Sequence, residues 1–215
     1  MKKLFLLLAM SSICIFSSAQ NAFGIKAGVN LASMSFDVDD DFGSDWNKDI
    51  HPLLTASILG KIELSYTANL TLELGLVQRG SKVSYDEDGQ EAAISETMNQ
   101  IQFSPGIAFN ASDEFSIGFA PYIGYATQQQ SKVSFDPDPF DESDTDTSDL
   151  DDEQKLDYGL NINLNYLIDD AFLISAGYSL GLKDYNAEFN DEYDADLDPL
   201  TNSGIMISIG YLFGN

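Results

Sequence analysis

Carboxylates spaced two residues apart are the groups in this sequence best suited to chemistry. Asp37, Asp39 and Asp41 have the one-three-five spacing with which a loop offers oxygens to a hard cation, and Asp194, Asp196 and Asp198 repeat it ahead of Pro199. Asp86, Asp88 and Gly89 match positions three, five and six of a twelve-residue calcium loop opening at Ser84. No segment completes the pattern. In the first, Phe42 stands where the turn glycine belongs, Gly43 comes one residue late, and Lys48 replaces the closing glutamate. In the second, Ser95 takes the closing position, with Glu96 one step beyond. These eight aspartates are the candidate metal ligands and calcium the candidate ion; no other cofactor is expected. The simpler reading is of solvated, mutually repelling loops that attract cations diffusely.

The inventory for catalysis is thin. His51, the only histidine, lies beside Pro52 at the edge of an acidic stretch, with no serine or cysteine partner close in sequence. Nucleophilic and general-base catalysis need partners that orient and activate the acting group. No catalytic residue is therefore assigned, and the chain is not expected to be an enzyme, although an envelope lipid-modifying site could assemble across strands. Cys14 is the only cysteine and lies in the apolar leader, so the mature chain has no disulfide, thiolate metal site or cysteine nucleophile.

With 35 acidic against 10 basic residues, the formal charge is −25. Such a balance argues against nucleic acid as a partner and for cations or basic ligands. Met1-Lys2-Lys3 followed by the apolar run Leu4 to Phe16 reads as a secretory signal peptide, with Ser17 and Ala19 as the small residues before cleavage at Gln20. The run is too short to span a bilayer, which takes roughly 20 residues. Ile13 is a poor neighbour for lipidation at Cys14. The expected division is a signal peptide at residues 1–19 and one domain over residues 20–215.

Elements that could carry the acidic segments come from period-two alternation, which recurs eight times. The segments are Phe23 to Ala32, Leu54 to Glu63, Leu70 to Arg79, Gln100 to Phe109, Phe115 to Tyr125, Lys155 to Tyr166, Phe172 to Gly181 and Ile205 to Phe213. Pro105 and Pro121 are weak points, because proline removes a ladder hydrogen bond. Connections alternate in length. Long ones run from Ser33 to His51, Ser84 to Thr97, Ser134 to Glu153 and Asp184 to Leu200; short ones lie near residues 65–69, 110–114 and Asp169-Asp170. The four long connections hold 28 of the 35 acidic residues, so an up-and-down barrel would gather the negative charge at one rim.

Alternation alone does not separate a membrane barrel from a soluble one. The second face helps, being rich in Gly, Ser and Asn and carrying Lys26, Lys61, Glu63, Glu73, Arg79 and Asp157, which suit a tight interior with internal pairing; a secreted soluble barrel is the alternative. Phe23, Phe109, Phe115, Tyr125, Tyr166, Phe172, Tyr185, Tyr211 and Phe213, near segment ends, would form the aromatic girdles. The fold class is all-β: an eight-stranded antiparallel up-and-down transmembrane β-barrel of a Gram-negative outer membrane, too narrow for a porin-like channel. Its expected surroundings are outer-membrane lipid and lipopolysaccharide, with divalent cations as possible bridges, long loops extracellular and short turns periplasmic. It is expected to be a monomer.

The opening strand, Phe23-Gly24-Ile25-Lys26-Ala27-Gly28-Val29-Asn30-Leu31-Ala32, resembles the start of the PorT-like family of small outer-membrane β-barrels, and the layout is similar over residues 22 to 215. The last strand has the aromatic end Tyr211-Leu212-Phe213 but departs from the pattern by adding Gly214-Asn215. The resemblance implies a closed barrel in the outer membrane and no defined activity. The leading functional expectation is an envelope-structural or surface-interaction module acting through four acidic extracellular loops. A calcium-dependent surface binder comes second and a lipid-modifying enzyme third.

Overall fold

The computed structural model describes residues 21–35, 46–87, 90–136, 144–148, 155–187 and 198–214. The expected signal peptide lies outside them. The described chain forms ten strands: β1 (Asn21–Ser35), β2 (Trp46–Asp49), β3 (His51–Ser65), β4 (Ala68–Glu87), β5 (Gln90–Asn110), β6 (Phe115–Asp136), β7 (Asp144–Ser148), β8 (Leu156–Ile168), β9 (Phe172–Gly181) and β10 (Thr201–Phe213). Eight of them, β1, β3, β4, β5, β6, β8, β9 and β10, pair antiparallel with their neighbours in sequence order. Pairing of β1 with β10, from Phe23 opposite Phe213 to Ser35 opposite Thr201, closes the ring. Closure removes the unpaired edges that could not survive in hydrocarbon.

The barrel is inside out relative to a water-soluble protein. Among the described residues, the largest fully buried side chains are Arg79, Gln100, Asn30, Asn69, Asn202, Asp157 and Ser179, all polar. Most leucines, isoleucines and aromatics stand outward instead, Ile209 being 70% exposed, while Leu53, Tyr122, Leu167, Leu173 and Leu212 are buried. A soluble lipocalin-like barrel would reverse this, because exposed apolar surface favours an apolar surrounding. On β8 the outward row Leu156, Tyr158, Leu164 and Tyr166 alternates with inward Asp157, Asn161 and Asn165.

Both prolines lie in one ladder. In β5–β6 pairing, Phe103 opposes Ile123 and Ile107 opposes Phe119, with no pair recorded between them. That register sets Pro105 across from Pro121. Both missing N–H groups therefore fall in a single gap, while Pro105 keeps its place opposite Leu72 and Pro121 opposite Leu160 on the other sides.

Short turns close one rim. Asp169 and Asp170 both have positive φ, 49° and 56°, and the Ala171 amide donates to the Ile168 carbonyl at 3.1 Å. This is the type I′ arrangement that suits strand twist, in a residue type that tolerates the left-handed region. At the turn before β6, Ser112 Oγ accepts from the Phe115 amide at 3.0 Å.

The opposite rim departs from the sequence expectation. The stretch from Ser84 to Thr97 is not a loop: β4 and β5 continue to Glu87 opposite Gln90, leaving only Asp88-Gly89 between them. Ser134 to Glu153 is likewise shortened, since β6 runs to Asp136 and β7 pairs back onto it. Strands β4, β5 and β6 have 20, 21 and 22 residues. A bilayer crossing needs only about 9–11 tilted residues. The surplus forms a five-stranded extension of the barrel wall, in the order β2, β4, β5, β6, β7.

Candidate functional site at the extracellular mouth

The apolar outer face ends at a belt of amides. Gln78 Nε2 donates to Asn99 Oδ1 at 2.9 Å, Asn99 Nδ2 donates to Gln128 Oε1 at 3.2 Å, and Gln78 Oε1 accepts from the Leu54 amide at 2.9 Å. Below it stand Leu76, Ile101 and Tyr125, all exposed; above it the walls turn polar. At this level Gly80 has a φ of +154° and a Cβ there would run into the Glu96 carbonyl oxygen, so only glycine fits.

Above the belt the extension has two distinct faces. The inner one, continuous with the barrel interior, places Val83 opposite Ile94 and Ile94 opposite Val133, with Val83 buried. The neighbouring row sets Glu96 between Ser81 and Ser131. Burial raises the Glu96 pKa above its usual carboxylate value. On the outer face Ser95 lies between Lys82 and Lys132, and Lys82 pairs with Asp49 at 3.5 Å.

His51 is not a loop residue. It opens β3, half-buried, with Nε2 at 3.0 Å from Thr97 Oγ1. Desolvation, reinforced by the positive charge of Lys82, lowers its pKa from 6.5. Tyr185 also departs from expectation. It joins no girdle but packs with Met98 and Ala126 at the mouth, its hydroxyl accepting from Asn202 Nδ2 at 3.1 Å, while Lys183 Nζ lies 4.6 Å from its ring centroid. The neck of the fourth loop is pinned beside it: Asp184 Oδ1 accepts from the amides of Asn186 and Leu200, each at 2.9 Å.

Two of the eight candidate metal ligands, Asp86 and Asp198, are among the described residues. Asp37, Asp39, Asp41, Asp88, Asp194 and Asp196 lie outside the described residues. Asp86 stands in β4 opposite Glu91, and Ser84 pairs with Ala93. Asp198 is exposed, and its backbone carbonyl accepts from Asn186 Nδ2 at 2.7 Å. Among the described residues, no three of His, Cys, Asp and Glu cluster to hold a metal ion.

Interior pairing expected from the second face is present, in two tiers. Lys26 Nζ reaches Glu73 Oε2 at 2.7 Å, and Ser57 Oγ donates to Glu73 Oε1 at the same distance. Higher up, Arg79 Nε lies 3.5 Å from Asp157 Oδ2, both residues fully buried. Lys61 lines the lower lumen, whereas Glu63 is exposed near the turn. At the turn rim Phe23 stacks on Phe213 with ring centroids 5.1 Å apart, and Phe172 meets Tyr211 edge-on at 5.2 Å, as a girdle requires.

A family model described as outer membrane protein beta-barrel domain matches residues 18–186. The chain belongs to that family. It is an outer-membrane protein, with its fold now established as an eight-stranded antiparallel up-and-down barrel. None of the curated proteins matches it. Ail, the attachment invasion locus protein of Yersinia pestis, solved with the heparin analogue sucrose octasulfate, is similar at 14% identity and a TM-score of 0.46, over 90% of this chain and 99% of that one. Neisserial surface protein A is similar at 10% identity and a TM-score of 0.45, over 89% and 99%. The Escherichia coli outer membrane protease OmpT is similar at 12% identity and a TM-score of 0.42, over 90% and 93%.

Proposed function

We propose that this outer-membrane barrel is a surface-interaction or envelope-structural module of the PorT-like kind, working through the acidic segments at its extracellular rim. One observation carries the reading: 28 of 35 acidic residues fall in the four segments 33–51, 84–97, 134–153 and 184–200, strand extensions included, towards the end where the wall extends beyond the membrane. A dense negative rim attracts cations and basic partner surfaces and is screened by salt. Divalent ions held there would bridge to the anionic lipopolysaccharide around the barrel. The protein acts as a monomer in this reading and has no assigned reaction, His51 being engaged with Thr97.

The test is binding of the refolded barrel in nanodiscs to a poly-lysine surface at rising ionic strength. Neutralising Asp184 to Leu200 by Asp→Asn and Glu→Gln changes is expected to cut low-salt binding several-fold; binding equal to the parent's would refute the reading. The second reading, a calcium-dependent binder, rests on the spacing of Asp37, Asp39 and Asp41 and of Asp194, Asp196 and Asp198. It requires a melting shift at micromolar calcium, within the range of regulatory calcium sites. The third, a lipid-modifying enzyme, requires lipid hydrolysis that His51→Ala abolishes.

A further inference from the structure

At the turn rim the barrel encloses a cavity of about 70 Å³ between two unlike walls. One wall is apolar, with Leu59 packed against the buried Leu167, Leu173 and Leu212. The other is polar and carries Lys26, Lys61, Thr71, Glu73 and Ser116. Gly118 keeps the space between them open. A Cβ there would meet nothing nearer than Asn165 Nδ2 at 3.6 Å, whereas one on Gly106 of the adjoining strand would lie 2.6 Å from Ala120 Cβ.

Hydrogen bonding inside the cavity is unbalanced towards donors. Glu73 is engaged on both oxygens, by Lys26 Nζ and Ser57 Oγ, each at 2.7 Å. Asn165 Oδ1 accepts from Ser175 Oγ at 2.8 Å, which leaves its Nδ2 facing the space at Gly118. Lys61, Thr71 and Ser116 have no side-chain partner among the described residues. Lys61 and Thr71 are cross-strand neighbours on β3 and β4, and Ser116 and Asn165 on β6 and β8, so donors reach the cavity from two separate parts of the wall. With Lys26 and Glu73 cancelling, the Lys61 charge is left over. A cation drawn into a lumen calls for an anionic partner.

The cavity also limits what that anion can be. It has room for about five water-sized groups at about 10–15 Å³ each, so the ligand has about that many non-hydrogen atoms. Its leucine wall favours an apolar end. Asp113 and Glu114, exposed at the edge of the cavity, penalise every further negative charge. We propose that this vestibule is a periplasm-facing binding site for a short monocarboxylate of the size of acetate. Lys61 and Asn165 Nδ2 meet its oxygens, and the leucine wall meets its alkyl end. The site lies at the opposite rim from the acidic segments and does not rest on the role proposed for them.

The experiment is saturation-transfer NMR on the refolded barrel in detergent micelles, with acetate as the probe and inorganic phosphate as competitor at constant ionic strength. Two variants test the site independently. Lys61→Met removes the charge on a side chain of similar length, and Gly118→Val fills the space while leaving the charge. Heat-dependent gel mobility checks that each is folded. Expected are saturable acetate binding to the parent, weakening by about tenfold or more in both variants, and little displacement by phosphate. Neutralising the edge by Asp113→Asn/Glu114→Gln is expected to let phosphate compete. No saturable binding to the parent, binding unchanged in either folded variant, or phosphate competing equally with and without the edge carboxylates would overturn the proposal.

Discussion

Replacing Ile209 by lysine separates a lipid-facing surface from a water-facing one by the size of the loss. Ile209 is the central outward residue of β10, flanked by Ala27 and Ile174 on neighbouring strands and 70% exposed. In water, a lysine at so exposed a position would change stability by no more than about 0.5 kcal/mol. At the bilayer midplane the same change costs about 2–4 kcal/mol, falling to about 0–1 near the interface. At 1.4 kcal/mol per factor of ten, that is a loss of roughly 30- to 700-fold in the folding equilibrium. Gln128→Lys, in the amide belt, is the matched interfacial control. The assay is urea-dependent folding into phosphatidylcholine vesicles, read by the fraction running as folded on an unboiled gel. Equal folding of Ile209→Lys, Gln128→Lys and the parent would refute the orientation assigned to the outer face.

Gly159→Ala probes the interior. The added Cβ would lie 2.7 Å from Tyr122 Cε1 and against the Leu180 carbonyl oxygen, so a loss of about 1–3 kcal/mol is expected in the same folding assay. His51 sets a pH dependence. Its pKa is lowered on folding, so the unfolded chain binds the proton more tightly; stability is full above pH 6.5 and falls as pH drops towards the lowered value. His51→Phe should flatten melting between pH 5 and 7.5. Glu96 acts in the opposite sense, its raised pKa giving stability at low pH that is lost as pH rises through that value, and Glu96→Gln should remove that slope. Micromolar calcium is expected to leave melting of the parent unchanged, which a calcium titration checks.

The membrane-crossing parts of the strands were legible because the bilayer imposes a strict alternation, as in Leu156 to Tyr166, where apolar residues must face lipid and Asn or Asp must face the lumen. Beyond the bilayer that constraint lapses. Gln128-Gln129-Gln130 and Thr145-Asp146-Thr147 are polar on both faces, so the outer half of β6 and all of β7 left no periodic trace. The extension of β4 and β5 did leave one, in Asp88-Gly89, a dipeptide favoured in two-residue hairpins. The same residues, Asp86 and Asp88, also have the spacing of calcium-loop oxygens, so the sequence there is compatible with both. The interior charges were visible as a set, but which cation meets which anion depends on placement across the bore. Arg79 reaches Ser179, 100 residues away, and no local pattern encodes that. Tyr185 is not distinguishable from a girdle residue in sequence for a related reason: an aromatic beside a strand end looks the same whether it faces lipid or packs at the mouth with Met98 and Ala126.

Migration of the unboiled and boiled protein on one gel, with circular dichroism taken on the same detergent-refolded sample, addresses the closed membrane barrel most directly. A complete β1–β10 ladder and an apolar exterior predict a β-type spectrum and a mobility that shifts only on boiling. A chain that stays soluble without detergent and migrates identically before and after heating would contradict the account.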